Sequence, residues 1–351
     1  MQPDASVSIV IVNWNRGEDV VRAVRHLRGL RGLDADIVVV DNGSTDGSRD
    51  RLSGLESVRF VGLGSNYGPA TARNVGVMHS RGKYVLFLDS DAMISRSSLA
   101  RLVERMESDP TVGIAGCRIV DPATRALDQW IYQYPARTHK RREFDTYSFS
   151  AAGAIVRRRA LQEAGLFWED LFIYNEEVDL SIRVLRAGYR VIYLPCARVY
   201  HIASGRGRLA PSCYWRHQVR NRIWICYRYY ETVACYLRIL MYAFRYLLKG
   251  ASRGQLPACL SGIRAGLAAA GIRRQFPDKL TREEKRRITA LERHLPLLLG
   301  EGLLARSRPP RPGHRASGGD GGAESPADRM WAPARPSRRL ERGRRARTGA
   351  G

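Results

Sequence analysis

The sequence predicts an α/β fold with a parallel central sheet. Short apolar runs rich in valine, isoleucine and leucine alternate with helical patterns over the first ninety residues, and the connections between them are short. Two of these runs, residues 37–40 and 84–88, end directly in an aspartate. Because ligands of open α/β sheets bind at the carboxyl ends of the strands, these acids are candidate site residues.

The first half of the chain predicts a regular strand–helix alternation. Continuous apolar runs bounded by polar residues predict buried strands at 8–13, 37–40, 58–61 and 84–88. Apolar residues at helical spacing predict helices at 20–27 and 70–80. Helices would cover both faces of such a sheet.

The second half continues the pattern less regularly. Helices are predicted at 98–107, 158–164 and 178–187, and strands at 113–120, 150–156, 190–194 and 198–201. Residues 121–148 mix basic and aromatic residues with two prolines, and they predict a loop over the site.

A near-neutral half of the chain precedes a strongly basic one. Residues 1–204 contain 27 Lys and Arg against 24 Asp and Glu, whereas residues 205–351 contain 31 against 10. This split indicates a globular unit followed by a segment that meets an anionic partner, either membrane lipid or nucleic acid. We therefore divide the chain into an α/β domain at 1–210, a helical extension at 211–300 and a basic tail at 301–351, which its Arg, Pro, Gly and Ser content predicts to be disordered.

Residues 214–248 combine aromatic and basic side chains. No window of eighteen residues there is free of charge, which disfavours a membrane-spanning helix. Two interpretations stay open. The segment is either a pair of helices at a membrane interface, with tyrosine and tryptophan in the headgroup zone, or a pair packed against the preceding domain.

Six scattered cysteines include no Cys-x-x-Cys pair. A zinc site or a disulfide framework is therefore disfavoured, and a reducing cytoplasm is the expected compartment. The apolar run at 7–12 is too short for a signal peptide and predicts a strand.

Acidic residues follow several predicted strands and one predicted helix start. They are Asp41, the pair Asp89 and Asp91, and the group 176–179 with Glu176 and Glu177. An Asp-x-Asp at a strand end suits Mg²⁺ or Mn²⁺ facing a phosphorylated ligand. A dinucleotide fold is disfavoured because residues 62–68 lack the G-x-G-x-x-G spacing, and the chain has no Walker lysine motif.

Several segments together resemble a known family. They are Val10-Ile11-Val12-Asn13-Trp14-Asn15, the acidic turn 41–48, the segment 66–74, Asp89-Ser90-Asp91, residues 175–180 and His201. In order and spacing they resemble the inverting family-2 glycosyltransferases of the rhamnosyltransferase-like branch. The resemblance covers roughly residues 6–230 and implies the GT-A nucleotide-diphospho-sugar transferase fold, with a mostly parallel sheet flanked by helices and a C-terminal helical extension.

The resemblance also implies a role for each matching residue. Asp41 would accept a hydrogen bond from the base of the donor, in a pocket lined by Val12 and Asn13. Asp89 would lie near the ribose, and Asp91 and His201 would contact the metal or the phosphates. Glu177 would be the general base, with Glu176 as the alternative. The loop residues Asn66, Arg73 and Asn74 would contribute to donor binding.

The implied activity is metal-dependent, inverting sugar transfer from a nucleoside-diphosphate sugar to a glycan or lipid-linked acceptor. It would take place at the inner face of a cell membrane, in the synthesis of surface polysaccharide. One alternative is an inactive GT-A-like domain whose basic C-terminus binds nucleic acid or membrane. A nucleotidyltransferase would also use strand-end acids, but its expected glycine-rich phosphate loop is missing after the first strand.

Overall fold

The central feature of the fold is a nine-stranded sheet with helices on both faces. The computed structural model describes residues 7–30, 35–55, 58–202, 210–269, 271, 275–276 and 279–292. The predicted tail at 301–351 lies outside the described residues.

Seven of the strands agree with the predicted ones to within a few residues, while two short ones, at 92–94 and 144–145, lie where no strand was predicted. In chain order the strands are β1 (Val7–Asn13), β2 (Ala35–Asp41), β3 (Arg59–Gly62), β4 (Tyr84–Asp89), β5 (Ala92–Ile94), β6 (Val112–Val120), β7 (Phe144–Asp145), β8 (Gly153–Arg157) and β9 (Arg190–His201).

The helices include all those predicted. They are α1 (Gly17–Arg28), α2 (Ser48–Ser53), α3 (Gly68–Met78), α4 (Arg96–Ser108), α5 (Ala136–His139), α6 (Arg158–Ala164), α7 (Glu176–Arg186), α8 (Pro211–Tyr229), α9 (Thr232–Ala251), α10 (Leu256–Ala268) and α11 (Arg282–Glu292).

The sheet has the order β3-β2-β1-β4-β8-β6-β9-β5, with β7 paired to β9. The first four strands are parallel, as predicted. The sheet as a whole is mixed because β8 enters antiparallel between β4 and β6, while β5 and β7 pair antiparallel with β9. Because β6 and β9 again pair in parallel, the expectation of a mostly parallel sheet holds for the first four strands and for this pair, and fails for the pairs made by β5, β7 and β8.

Two hydrophobic cores lie on the two faces of the sheet. Successive strand residues point to opposite sides. Val10 and Phe87 accordingly pack with α3, α7 and α8, whereas Ile11 and Leu86 pack with α1 and α4. Burial on both faces explains why these strands are continuous apolar runs in the sequence.

Two predictions for the second half need correction. Residues 121–148 are not a bare loop, since Trp130, Tyr132 and Phe144 pack as an aromatic cluster against Tyr193 of β9. The two predicted strand pieces at 190–201 are one strand with a register shift. Pro195 lies within that shift and cannot donate to the ladder, so the sequence shows a break where the strand continues.

The helices after residue 210 use their aromatic residues in different ways. Tyr227 and Tyr229 of α8 are buried in the same core as the sheet, as the packing interpretation predicts. In contrast, α9 keeps several large apolar side chains exposed. Among the described helices, none has the length and hydropathy needed to cross a bilayer. The domain boundary at residue 210 stays a prediction.

Candidate functional site

The register of the parallel strands gathers four predicted site residues at one edge of the sheet. Asn13 of β1 pairs with Asp41 of β2, and Val12 pairs with Asp89 of β4. All three strands end within a residue or two of these pairs, so their last side chains face a common cleft at the carboxyl edge.

Asp41 is buried and held by its neighbours. Its Oδ1 accepts hydrogen bonds from Asn13 Nδ2 at 2.8 Å and from the Ser44 hydroxyl at 2.6 Å, and its Oδ2 accepts from the Ser44 amide at 3.1 Å. A carboxylate has about four acceptor positions, so one remains on Oδ2. Asn13 Oδ1 is buried and has no hydrogen-bond partner among the described residues. This pocket therefore offers acceptors to the N–H groups of a ligand.

Asp89, Asp91 and His201 form a candidate metal group, in which one ligand atom from each lies within 4.8 Å of the others. His201 Nε2 is 3.2 Å from Asp91 Oδ1 and 4.0 Å from Asp89 Oδ2. The pairing of β5 with β9 produces this geometry, because His201 lies opposite Ala92, the residue after Asp91. Two carboxylates and an imidazole are donors that Mn²⁺ accepts, and carboxylates also suit Mg²⁺.

Asp128 orients the histidine of this group. Its Oδ2 lies 2.8 Å from His201 Nδ1, on the side of the ring away from Asp91. A carboxylate behind a metal-binding histidine is a common arrangement, because it fixes the tautomer and the ring orientation. Although burial lowers the pKa of His201, the hydrogen bonds to Asp128 and Asp91 raise it to about 10. A bound cation would displace the proton that this pKa implies at neutral pH, and the deprotonated imidazole together with the two carboxylates is a donor set that fits a divalent cation.

A cation from the chain contacts the same group. Arg16, three residues after β1, donates from Nη1 to Asp91 Oδ2 at 2.5 Å. Its side chain is 14% exposed. A guanidinium in this position can compensate the charge of Asp91 and can also contact an anionic ligand.

Arg73 of α3 connects the metal group to the acids of α7. It donates from Nη1 to Glu176 Oε1 at 2.9 Å, and its Nη2 is 3.7 Å from Asp89 Oδ1. Although burial lowers the pKa of Arg73, Glu176, Glu177 and Asp89 raise it, so the guanidinium stays charged. The strand-end acids and the helix acids therefore belong to one site.

The two glutamates at the start of α7 have different environments. Glu176 is buried against Arg73, whereas Glu177 is partly exposed. Burial and the neighbouring charge of Glu177 raise the pKa of Glu176 to about 8, although Arg73 opposes the shift. One guanidinium serves three carboxyl groups there, so a retained proton on Glu176 is electrostatically reasonable. The accessible carboxylate is Glu177.

The loop that directly precedes α7 has a strained backbone. Phe172, Tyr174 and Asn175 have left-handed backbone, with φ of 63°, 69° and 66°. Such values are costly for residues other than glycine and persist only where surrounding contacts enforce them. Asn221 of α8 supplies those contacts by donating to three carbonyl oxygens between residues 171 and 174, at 2.6–2.9 Å.

Two predicted donor-site residues serve mainly as cross-links in this structure. Asn74 donates to the Phe167 carbonyl and accepts from its amide, both at 2.9 Å, which ties α3 to the segment before α7. The side-chain oxygen of Asn66 accepts from Asn42 Nδ2 at 3.0 Å and from the amide of Gly68 at 2.9 Å. A direct contact of either residue with a donor stays a prediction.

Sequence reasoning missed Arg16, Asp128 and Asn221. Arg16 and Asp128 lie in irregular segments, where no periodicity marks an inward-facing side chain. Asn221 lies in a helix rich in aromatic and basic residues, and that composition also fits a helix at a membrane surface. A buried asparagine flanked by helix-forming residues is a weak signal by itself.

The N-terminal part of the chain is similar to a known protein family. Residues 8–165 match the family model described as Glycosyl transferase family 2. Over these residues, slightly less than half of its length, the chain is similar to that family. The matched segment contains Asp41, Asp89 and Asp91, and it ends before Glu177 and His201.

Several curated proteins are similar to this chain in sequence. The chain is 26% identical over 213 residues to the succinoglycan biosynthesis protein ExoO of Rhizobium meliloti (strain 1021), covering 57% of this chain and 61% of the relative. It is 34% identical over 217 residues to the pre-mycofactocin glycosyltransferase of Mycobacterium tuberculosis (strain CDC 1551 / Oshkosh), covering 56% and 42%. An N-acetylglucosaminyl-diphospho-decaprenol L-rhamnosyltransferase from the same strain is 25% identical over 258 residues, covering 63% and 84%. The chain thus spans 61% and 42% of the length of the first two relatives.

Solved structures share the fold of this chain. The mannosyltransferase PcManGT from Pyrobaculum calidifontis, solved with GDP-Man and Mn²⁺, superposes with a TM-score of 0.51 at 19% identity over 86% of this chain and 88% of that one. GalNAc-T7 with UDP, GalNAc and Mn²⁺ gives 0.56 at 18% identity over 83% and 57%. At these identities the likeness shows the fold alone, and the predicted GT-A fold is confirmed.

Proposed function

We propose that this chain belongs to glycosyltransferase family 2 and transfers a sugar, with inversion, from a nucleoside-diphosphate sugar to a hydroxyl of a glycan or lipid-linked acceptor in surface polysaccharide synthesis. The observation that carries the proposal is the connection through Arg73, which joins Asp89 of the metal group to Glu176 at the start of α7. A diphosphate site and a general base are thereby combined in one cleft.

Asp91 and His201 would hold Mg²⁺ or Mn²⁺, with Asp89 beside them, because these are the ligand atoms that approach one another. The bound cation would stabilise the negative charge that develops on the leaving diphosphate. Arg16, in contact with Asp91, would bind and orient the phosphates from the side of β1.

Glu177 would act as the general base. Inversion by direct displacement needs a carboxylate that removes the proton of the acceptor hydroxyl on the face opposite the leaving group. Glu177 is partly exposed, whereas Glu176 is buried, paired with Arg73 and raised in pKa to about 8. These differences favour Glu177 over Glu176 for the role that the sequence left open.

Asp41 and Asn13 would recognise the base of the nucleotide. The remaining acceptor position of Asp41 Oδ2 and the buried Asn13 Oδ1 suit an N–H of a pyrimidine. Relatives named rhamnosyltransferases, including the dTDP-rhamnosyl transferase RfbF of Shigella flexneri, make dTDP-rhamnose our first expectation, followed by UDP-sugars and GDP-mannose. For the location we propose the inner face of a cell membrane, where the protein would be peripheral.

A donor screen tests the proposal. The purified full chain with Mn²⁺ is incubated with dTDP-rhamnose, UDP-sugars or GDP-mannose and with glycan or prenyl-linked acceptors, and release of the nucleoside diphosphate is measured. We expect one donor to be consumed, and we expect Glu177→Gln to reduce turnover by about 100-fold to 10,000-fold.

Glu104→Gln changes an exposed glutamate on α4 and serves as the matched control. If no donor is bound or consumed and the chain instead binds DNA in a salt-sensitive manner, the inactive, nucleic-acid-binding alternative replaces the proposal.

A further inference from the structure

One face of α9 exposes an unusual run of large apolar side chains. The opposite face is buried, with Cys235, Ile239 and Tyr242 in the shared core. The exposed residues recur at three- to four-residue spacing, so they line one side of the helix. They are Val233, Leu237, Leu240, Met241, Phe244 and Leu248, each 51–73% exposed. We call these six residues the apolar face of α9.

A contiguous apolar surface such as this one is expected to bind a partner. Single exposed apolar residues are normal on soluble proteins, but contiguous patches mark protein or membrane interaction sites. The apolar face of α9 extends over more than four helical turns, from Val233 to Leu248. Each of these side chains would gain free energy by leaving water.

The charge around this face identifies the occupant. The 46 residues from 232 to 277 contain seven Lys and Arg and no Asp or Glu. Three of the seven, Arg238, Arg245 and Lys249, belong to α9 itself. Arg238 lies with its guanidinium 4.2 Å from the ring centroid of Tyr230, at the junction with α8. An apolar face on a segment with an excess of Lys and Arg complements a surface that is anionic outside and apolar beneath.

We propose that the apolar face of α9 docks on an anionic phospholipid bilayer, with Leu240 and Phe244 at the centre of the inserted surface. The helix lies in the plane of the interface, its apolar side chains reach the acyl boundary, and the excess positive charge of the segment attracts the anionic headgroups. This is the binding mode of amphipathic interfacial helices, in which apolar burial and electrostatic attraction both contribute.

Docking through α9 also fixes the site relative to the bilayer. α9 packs on α8, and α8 carries Asn221, which holds the loop in front of Glu176. The docking helix and the acids of α7 are therefore connected through one buried helix. The proposal relies on the proposed function only for the lipid-linked acceptor that such an arrangement would serve.

Vesicle co-sedimentation of the full chain tests the docking. Vesicles of phosphatidylcholine with phosphatidylglycerol are compared with vesicles of phosphatidylcholine alone, without donor or acceptor. We expect binding to the anionic vesicles, weaker binding at high salt, and a loss of about tenfold or more in partitioning for both Leu240→Ser/Phe244→Ser and Leu240→Asp/Phe244→Asp.

The matched control is Met78→Asp, because Met78 is a large apolar residue that is 66% exposed on a different helix, at the end of α3. It should bind vesicles like the wild type. Binding by the serine variant equal to that of the wild type would overturn the proposal. So would a wild-type dimer that this variant converts to a monomer, because a second copy would then cover the face. The variants are assayed separately for release of nucleoside diphosphate from soluble substrates, so the docking and the sugar transfer can fail independently.

Discussion

Arg73 is the residue on which the charge balance of the site depends. It is buried and lies beside Asp89 and Glu176, and Glu177 also contributes to its electrostatic environment. A buried ion pair is costly to break from one side, since the remaining charge is left without a partner. The raised pKa of Glu176 is the measurable sign that one guanidinium serves several carboxyl groups.

The raised pKa of Glu176 predicts that the stability of the fold depends on pH. Its pKa is about 8 in the folded chain against 4.5 for an unperturbed glutamate, so the native state holds a proton that the unfolded state releases. The contribution is fully present below pH 4.5 and is lost as the pH rises toward 8. We expect Glu176→Gln to reduce the fall in the free energy of unfolding over this window, measured by urea titration at several pH values.

Glu163→Gln, at an exposed position on α6, should retain the pH dependence of the wild type. Identical pH profiles for Glu176→Gln and the wild type would contradict the raised pKa.

Replacing Asp128 is expected to lower the metal affinity of the site, although Asp128 would not contact the metal itself. It orients His201 through the ring nitrogen that faces away from Asp91. Removing such a partner commonly reduces metal affinity by about 10-fold to 100-fold. We expect Asp128→Asn to weaken Mn²⁺ binding by this amount in calorimetric titration, while Asp50→Asn, at an exposed position on α2, leaves it unchanged. Equal affinities of Asp128→Asn and the wild type would show that Asp128 has no such role.

Among the elements, the connection between α8 and the loop before α7 has the clearest consequence. Three left-handed residues in that loop are held by Asn221, on a helix that starts thirty-five residues after Glu176. The helical extension therefore contributes to the presentation of Glu177, although its residues touch neither the metal group nor Asp41 through any described hydrogen bond.

Asn221→Ala removes the donor to three loop carbonyls. An unsatisfied buried acceptor costs about 1–3 kcal/mol, so we expect the free energy of unfolding to fall by about 3 kcal/mol. We also expect kcat to fall while the donor KM stays constant, because the loop precedes the base and not the donor pocket. Ser212→Ala, on the exposed side of α8, is the control. A variant that loses stability but keeps wild-type kcat would limit Asn221 to a structural role.

An element could be predicted from the sequence where the residues that determine it are close together in the chain. The strands β1, β2 and β4 are buried on both faces, so their apolar runs were sufficient to identify them, and the acids at their ends followed. The pairing of β5 with β9, which brings His201 to Asp91, joins residues more than a hundred positions apart and has no local signature. The burial of α8 was equally hidden, since the same aromatic and basic residues suit a core helix and an interfacial one.

At the scale of the whole molecule, the described chain combines three surfaces with different chemistry. The carboxyl edge of β1, β2 and β4 offers acceptors and a cation site, the start of α7 offers an accessible carboxylate, and α9 offers an apolar face on a segment with an excess of Lys and Arg. The central claim is that the first two form one cleft with separable duties, donor binding at Asp91 and proton removal at Glu177.

The most direct test measures donor binding and transfer in the same two variants. Asp91→Asn and Glu177→Gln are titrated with the donor found in the screen, in the presence of Mn²⁺, and turnover is measured in parallel. We predict that Asp91→Asn loses donor binding and transfer together, whereas Glu177→Gln binds the donor like the wild type and transfers sugar about 100-fold to 10,000-fold more slowly. Wild-type turnover in Glu177→Gln, or unchanged Mn²⁺-dependent donor binding in Asp91→Asn, would contradict the account.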